Sequence, residues 1–222
     1  MTKHKQTTRI AGIWYLSFIL LGAFSMMFVD ENLSIAGNTA ATIENFRTNA
    51  MLYYLGLATY IMGYVCFIFS VNALCKIFKP VDNRLTQLMR AFVLVGVVVA
   101  LISKLAQLIS VVAPSIESQS NTATMLLSFY TRGETIAGIF WGLWLLPLGL
   151  LILQSKLISK VIGILLLMAC AGHLIDFFVS FFTPDSSQMI LSVMYAFEML
   201  GEFALVLWLL IRGVKVQEQK SN

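Results

Sequence analysis

Charge is scarce in this sequence. Lys, Arg, Asp and Glu make up 12% of its 222 residues, against roughly 25% in soluble domains. Hydrophobic residues account for 59% and the mean hydropathy is +0.84, so a soluble globule is excluded. Histidine is scarcer still, with only His4 and His173, and the three cysteines (Cys66, Cys75 and Cys170) fall inside apolar segments without CxxC spacing. That spacing argues against a disulfide or thiolate-metal framework and predicts free thiols packed as small apolar groups. No HExxH, no GxSxG and no phosphate-cradling glycine loop is present, so neither a catalytic metal, a cofactor nor an activated nucleophile is expected.

Long apolar runs fill the space that these absences leave. Six can be marked: Ile10 to Val29, Leu52 to Phe78, Ala91 to Val112, Thr135 to Leu153, Val161 to Phe182 and Met189 to Ile211. At 1.5 Å per residue each is long enough to cross a hydrocarbon core of ~30 Å. Backbone groups in lipid must be satisfied within their own segment, so the runs predict helices. The fold class is therefore all-α, a polytopic six-helix membrane bundle forming a single domain, with the lipid bilayer as its main partner. The first run leads into Asp30-Glu31-Asn32 without a small-residue cleavage site, and reads as a retained span, not a signal peptide.

Orientation follows from the basic residues. Lys3, Lys5, Arg9, Lys76, Lys79, Arg84, Arg90, Lys156, Lys160, Arg212, Lys215 and Lys220, twelve of the fifteen, fall on one side of the predicted bundle. The other side holds Arg47 and, at its edge, Arg132, with Asp30, Glu31, Glu44, Glu117 and Asp185. The positive-inside rule puts the first side, with both termini, in the cytoplasm. The formal charge of +4 thus reads as a topology signal; no nucleic-acid partner is expected. Asn38 to Asn49 predicts a short interfacial helix with Asn38 or Thr39 as its N-cap. Ser115 to Thr124 predicts an exposed loop, and Trp14, Tyr15, Tyr53, Tyr54, Tyr130 and Trp208 a headgroup belt. The two halves show no matching broken segments, which weakens an inverted-repeat transporter.

The candidate site rests on polar residues inside these runs: Lys104, Gln107, His173, Asp176, Glu198 and Glu202. A charge near the bilayer centre costs at least ~2.5 kcal/mol on insertion scales. From the outer span ends, Asp176 lies about 9 Å deep, Lys104 about 12 Å, His173 and Glu198 about 14 Å, and Glu202 about 20 Å. Lys104/Gln107, His173/Asp176 and Glu198/Glu202 are spaced three or four apart, so each pair shares a helix face. These faces predict one outward-opening cavity between spans three, five and six. Lys104 opposite three acids leaves an excess of carboxylates, to be met by a bound proton or by a cationic ligand. Alternatives are Lys104 snorkelling outward, and ion pairs that only fix packing. Arg132 and Glu134 are expected on different faces at the outer interface. The scattered glycines read as helix-packing positions.

Arg9-Ile10-Ala11-Gly12-Ile13-Trp14-Tyr15-Leu16, Phe140-Trp141-Gly142-Leu143, Gly149, Ser155, Gly163, Gly172-His173-Leu174-Ile175-Asp176, Gly201-Glu202, Leu207-Trp208-Leu209-Leu210 and Gly213 occur in an order and spacing that resembles a known family. It is the bacterial six-span membrane family catalogued as domain of unknown function 4386. The resemblance implies a location in the inner (plasma) membrane and a shared bundle, and brings no activity. Asp176 and Glu202 match the family pattern. His173 stands where a tyrosine is usual, Glu198 where an apolar or small residue is usual, and Ser159 where proline is frequent. Three functions stay open: a non-enzymatic binder or carrier of a small molecule, cation or proton; a structural protein whose protein partner or second copy is undetermined; and an intramembrane enzyme using the carboxylates as acid and base.

Overall fold

The computed structural model describes residues 3–113, 120–155, 157–182 and 188–214, and every regular element among them is helical. Helix α1 (Lys3–Ala23) runs through a π-helical segment (Phe24–Asp30) into α2 (Glu31–Leu33) as one column, because both Asp30 and Glu31 keep right-handed helical dihedrals. The column ends where Ser34 turns extended. Then follow α3 (Thr39–Thr48), α4 (Ala50–Phe78), α5 (Asn83–Val112), α6 (Ser120–Leu143), α7 (Leu145–Gln154), α8 (Lys160–Phe182) and α9 (Gln188–Ile211). Five stretches are long and apolar enough to cross a membrane: Gln6–Leu33, Ala50–Phe78, Asn83–Val112, Asn121–Gln154 and Lys160–Phe182. The last apolar run lies within α9, a helix of 24 residues.

Local chemistry accounts for the boundaries. Asp82 caps α5 by accepting from the amides of Arg84 and Leu85 at 2.7 and 3.0 Å, so this helix starts at Asn83, eight residues ahead of the apolar run. Polar residues continue a helix as readily as apolar ones when no glycine or proline interrupts them. The same reason corrects the predicted loop at Ser115 to Thr124: residues 114–119, with Glu117, are outside the described residues, while Ser120 to Thr124 are already helix. Lys156, Asp185, Lys215 and Lys220, which contributed to the orientation, also lie outside them. Pro147 has no N–H for the carbonyl of Leu143 and its ring crowds that group; the fourth apolar run accordingly breaks at Trp144 into α6 and α7.

Asn38 caps α3 by accepting from Ala41 N at 3.0 Å. The apolar face of α3 turns into the bundle, with Ile43 and Phe46 buried beside Val29, Tyr53 and Val111. Arg47 at its end donates to the carbonyls of Val111 (2.8 Å) and Ala113 (2.5 Å), satisfying acceptors that the C-terminus of α5 leaves free.

The long helices close into a ring in the order α4, α1, α9, α8, α6–α7, α5 and back to α4. Close approach is bought with small residues where polar side chains are presented. A Cβ on Gly133 would fall 1.9 Å from Ser103 Oγ across the α5–α6 contact, and one on Gly142 would fall 2.7 Å from His173 Cβ across α6–α8. Gly22 and Gly138, by contrast, face open space. Aromatic rings fill the middle of the ring: Phe67 packs on Phe18 (centroids 4.4 Å apart), Trp144 (5.1 Å) and Tyr15 (5.7 Å), and Trp141 stacks on Tyr64 at 5.4 Å. Outside, Leu20, Met51, Val161, Phe182, Leu207 and Ile211 are all more than half exposed, a surface that water would not tolerate over such an area.

Candidate functional site

The polar residues singled out from the sequence do not form one cavity. Five of the six divide between two clusters, Gln107 stands apart, and residues unnoticed in the sequence complete both clusters.

The first cluster gathers the π-helical segment, α4, α5 and α6. Lys104, with a side chain 2% exposed, donates to Asp30 Oδ2 at 2.6 Å. Tyr130 donates to the same oxygen at 2.9 Å. The Lys104 ammonium also lies 4.8 Å from the ring centre of Tyr60 and 5.0 Å from that of Tyr130, so two π faces help to replace its water. Tyr60 in turn donates to Glu134 Oε1 at 2.7 Å, and Tyr64 to Tyr60 at 3.4 Å. Lys104 is therefore neither snorkelling nor opposite Asp176, Glu198 and Glu202, as its depth alone had predicted. The partner is Asp30, read from the sequence as an outer-loop acid. The π turn, with its i to i−5 spacing, resets the phase of the α1 column and brings Asp30 against α5.

The second cluster joins α1, α8 and α9. Glu198 Oε2 lies 3.5 Å from His173 Nδ1, and Glu202 Oε1 lies 3.7 Å from His173 Nε2. Tyr15, fully buried, donates to Glu202 Oε2 at 2.7 Å. Asp176, one turn along α8, stands within electrostatic reach of both His173 and Glu198. Both histidine contacts exceed good hydrogen-bond length. His173 Nε2 and Glu198 Oε1 accordingly remain buried without a hydrogen-bond partner among the described residues. Three acids face one imidazole here, and among the described residues no group of His, Cys, Asp and Glu is arranged to hold a metal ion.

Tyr15 and Asp30 are fifteen residues apart on one column, roughly 22 Å of helix rise, which puts the clusters at different levels. The aromatic layer separates them, with Tyr64 at one edge and Tyr15 at the other. Gln107, the remaining candidate, belongs to neither. It is fully buried on α5, and both ends of its carboxamide lack partners among the described residues. It forms part of the wall of a cavity of about 200 Å³ shared with the 34–38 loop, the first turn of α3 and α6.

Several residues escaped the sequence reading. Tyr15, Tyr53 and Tyr130 were assigned to a headgroup belt, yet Tyr15 and Tyr53 are buried and Tyr130 turns inward to Asp30. Arg132 is exposed as expected, whereas Glu134 points inward to Tyr60. One signal for Asp30 is in the sequence: no glycine or proline lies between Gly22 and Gly37, so the first helix has no breaker ahead of Asp30.

A family model matches residues 10–213. The chain belongs to the DUF4386 family, described as a domain of unknown function. No curated protein and no solved structure matches it. In this DUF4386 protein His173, Asp176, Glu198 and Glu202 all belong to the second cluster.

Proposed function

We propose that this protein is a six-span bundle of the cell's inner membrane, both termini cytoplasmic, whose His173–Glu198–Glu202 cluster with Asp176 binds a proton as a non-enzymatic binder or carrier. Helix α9 supplies the sixth crossing: it is 24 residues long, and it fills the gap between α1 and α8 that would otherwise leave the ring open. The twelve basic residues of one side supply the orientation, and in that frame the cluster lies deeper than the Lys104–Asp30 pair, which stands near the outer end of the α1 column.

One observation carries the reading. His173 lies between two carboxylates, at 3.5 and 3.7 Å, with one nitrogen and one carboxylate oxygen unpaired. A buried set with more acids than bases and with free hydrogen-bonding capacity has protonation states of similar energy, which is what exchange requires. Tyr15 holds Glu202 from α1, so a change of charge on Glu202 is felt by a helix outside the α8–α9 pair.

Infrared difference spectroscopy on the reconstituted protein tests this directly. A pH step should produce a protonated-carboxyl stretch that Glu202→Gln removes or shifts and Asp176→Asn reduces, while both variants keep the wild-type helical circular dichroism. A carboxyl band unaltered by both changes, or no band in the wild type, overturns the proposal. Proton flux into dye-loaded liposomes separates a carrier from a binder.

The alternative, in which buried charge only locks the helices together, is favoured by a separate observation at the other cluster. Asp30 and Lys104 neutralise one another and are held further by Tyr130 and Tyr60. That half of the bundle is a structural lock.

A further inference from the structure

Among the polar side chains of this bundle, Gln107 is the one whose burial is least explained by its neighbours. It is 0% exposed, and neither its Nε2 nor its Oε1 has a hydrogen-bond partner among the described residues. A primary amide carries two donors and two acceptor positions, and leaving such a group unpaired in a dry interior costs more than any packing benefit from the same volume of hydrocarbon. The residue nevertheless borders an open space. It contributes to the wall of a cavity of about 200 Å³ whose other walls come from Ser34, Asn38 and Thr42 on the 34–42 stretch and from Ser128, Tyr130 and Thr131 on α6.

We infer that this cavity is a binding site for a small, uncharged, polar molecule that pairs with the Gln107 carboxamide. The absence of net charge follows from the lining. None of the eleven lining residues is ionised at neutral pH. The charges that Tyr130 adjoins, Lys104 and Asp30, pair with one another, and its hydroxyl is already donated to Asp30. An anion or a cation would lose its hydration without gaining a counter-charge. The size follows from the volume, which matches the liquid share of six or seven waters at about 30 Å³ each. That is room for an amide or hydroxy-amide of about six heavy atoms.

The walls also account for the shape of the site. Thr42 ties the loop over the cavity: its hydroxyl accepts from Ile35 N at 2.8 Å and donates to Asn38 O at 3.0 Å. The mouth is thus preformed, while Gln107 sits at the wall with unspent donors and acceptor. This site is independent of the proton cluster around His173, so either can fail without the other.

The test uses lactamide as the neutral probe, with lactate and 1-amino-2-propanol as an anion and a cation of similar size. In the protein reconstituted with ¹⁵N-glutamine, the Gln107 side-chain amide is assigned by its disappearance in Gln107→Leu. Lactamide should shift that signal saturably, and the two charged probes should bind at least about tenfold more weakly, because a site built of neutral hydrogen-bonding groups discriminates by that much or more. Ser128→Leu, at an exposed position on the cavity wall, should leave the Gln107 signal in place and abolish the lactamide shift. No saturable shift, equal shifts from lactate, or a Gln107 amide that exchanges magnetisation with water alone and ignores lactamide would each overturn the inference.

Discussion

Replacing Lys104 by methionine exposes the logic of the first cluster. The side chains of Lys104 and Asp30 are 2% and 13% exposed, with Nζ and Oδ2 2.6 Å apart, so little solvent screening applies. At an effective dielectric of 20 the attraction at that distance is about 6 kcal/mol, most of it offset by several kcal/mol of desolvation for each ion. The net worth of the intact pair is therefore small, but removing one partner leaves a buried charge and should destabilise by about 3–5 kcal/mol. Lys104→Met retains the stem that packs against Tyr60 and Tyr130, so the loss isolates the charge. Asp30→Asn should cost somewhat less, since the ammonium keeps both π faces. In the double variant the two neutral side chains should recover all but about 1 kcal/mol, giving a coupling of at least about 3 kcal/mol where independent sites would add to within ~0.5 kcal/mol. Reversible unfolding in mixed micelles, followed by tryptophan fluorescence, measures all four corners of the cycle. A harmless Lys104→Met, or a double variant as unstable as the two singles summed, would refute the assignment of this pair as a lock.

Two further outcomes test packing and topology. Gly133→Ala places a Cβ 1.9 Å from Ser103 Oγ and 2.8 Å from Ser103 Cβ; it should destabilise by about 1–3 kcal/mol through overpacking and be rescued by Ser103→Gly but only in part by Ser103→Ala, as read by thermal unfolding in detergent. In a background with Cys66, Cys75 and Cys170 replaced by alanine, a membrane-impermeant maleimide should label a Gly37→Cys variant on intact cells and a Lys79→Cys variant only after lysis. The reverse pattern would invert the proposed orientation.

The helices were legible because their cause is local: an apolar run of this length has no other way to satisfy its backbone in lipid. Their ends were less so, because hydropathy marks where apolar side chains stop and not where hydrogen bonding stops. Asn83 to Arg90 and Ser120 to Glu134 are polar-rich helix that hydropathy reads as loop or interface. Pairing across the bundle was the least legible step. Depth counted along separate spans put Lys104 opposite the acids of α8 and α9, but the two clusters stand at different levels, and depth says nothing about azimuth. The ring order places α5 between α4 and α6, away from α9, and a π turn, invisible in composition, redirects Asp30 towards it. Spacing did identify His173 with Asp176 and Glu198 with Glu202 as shared faces, and those two faces do meet.

The difference between the two clusters lies in how completely each is satisfied, not in how much charge each buries. Around Lys104 the ammonium pairs with Asp30, that carboxylate accepts twice from within hydrogen-bond distance, two rings cover the ammonium, and the second acid, Glu134, accepts from Tyr60. A change of protonation on either Lys104 or Asp30 would strand the charge of the other, so that pair suits a lock. Around His173 the contacts are longer by about an ångström, three acids meet one imidazole, and buried acceptor and ring nitrogen are left over. A proton added to this set relieves repulsion among the acids and engages atoms that are otherwise unpaired, whereas a proton removed leaves Glu202 still held by Tyr15. Under the proposed proton-binding reading two states are thus each partly satisfied, and the bundle changes charge at one level while it holds its shape at the other.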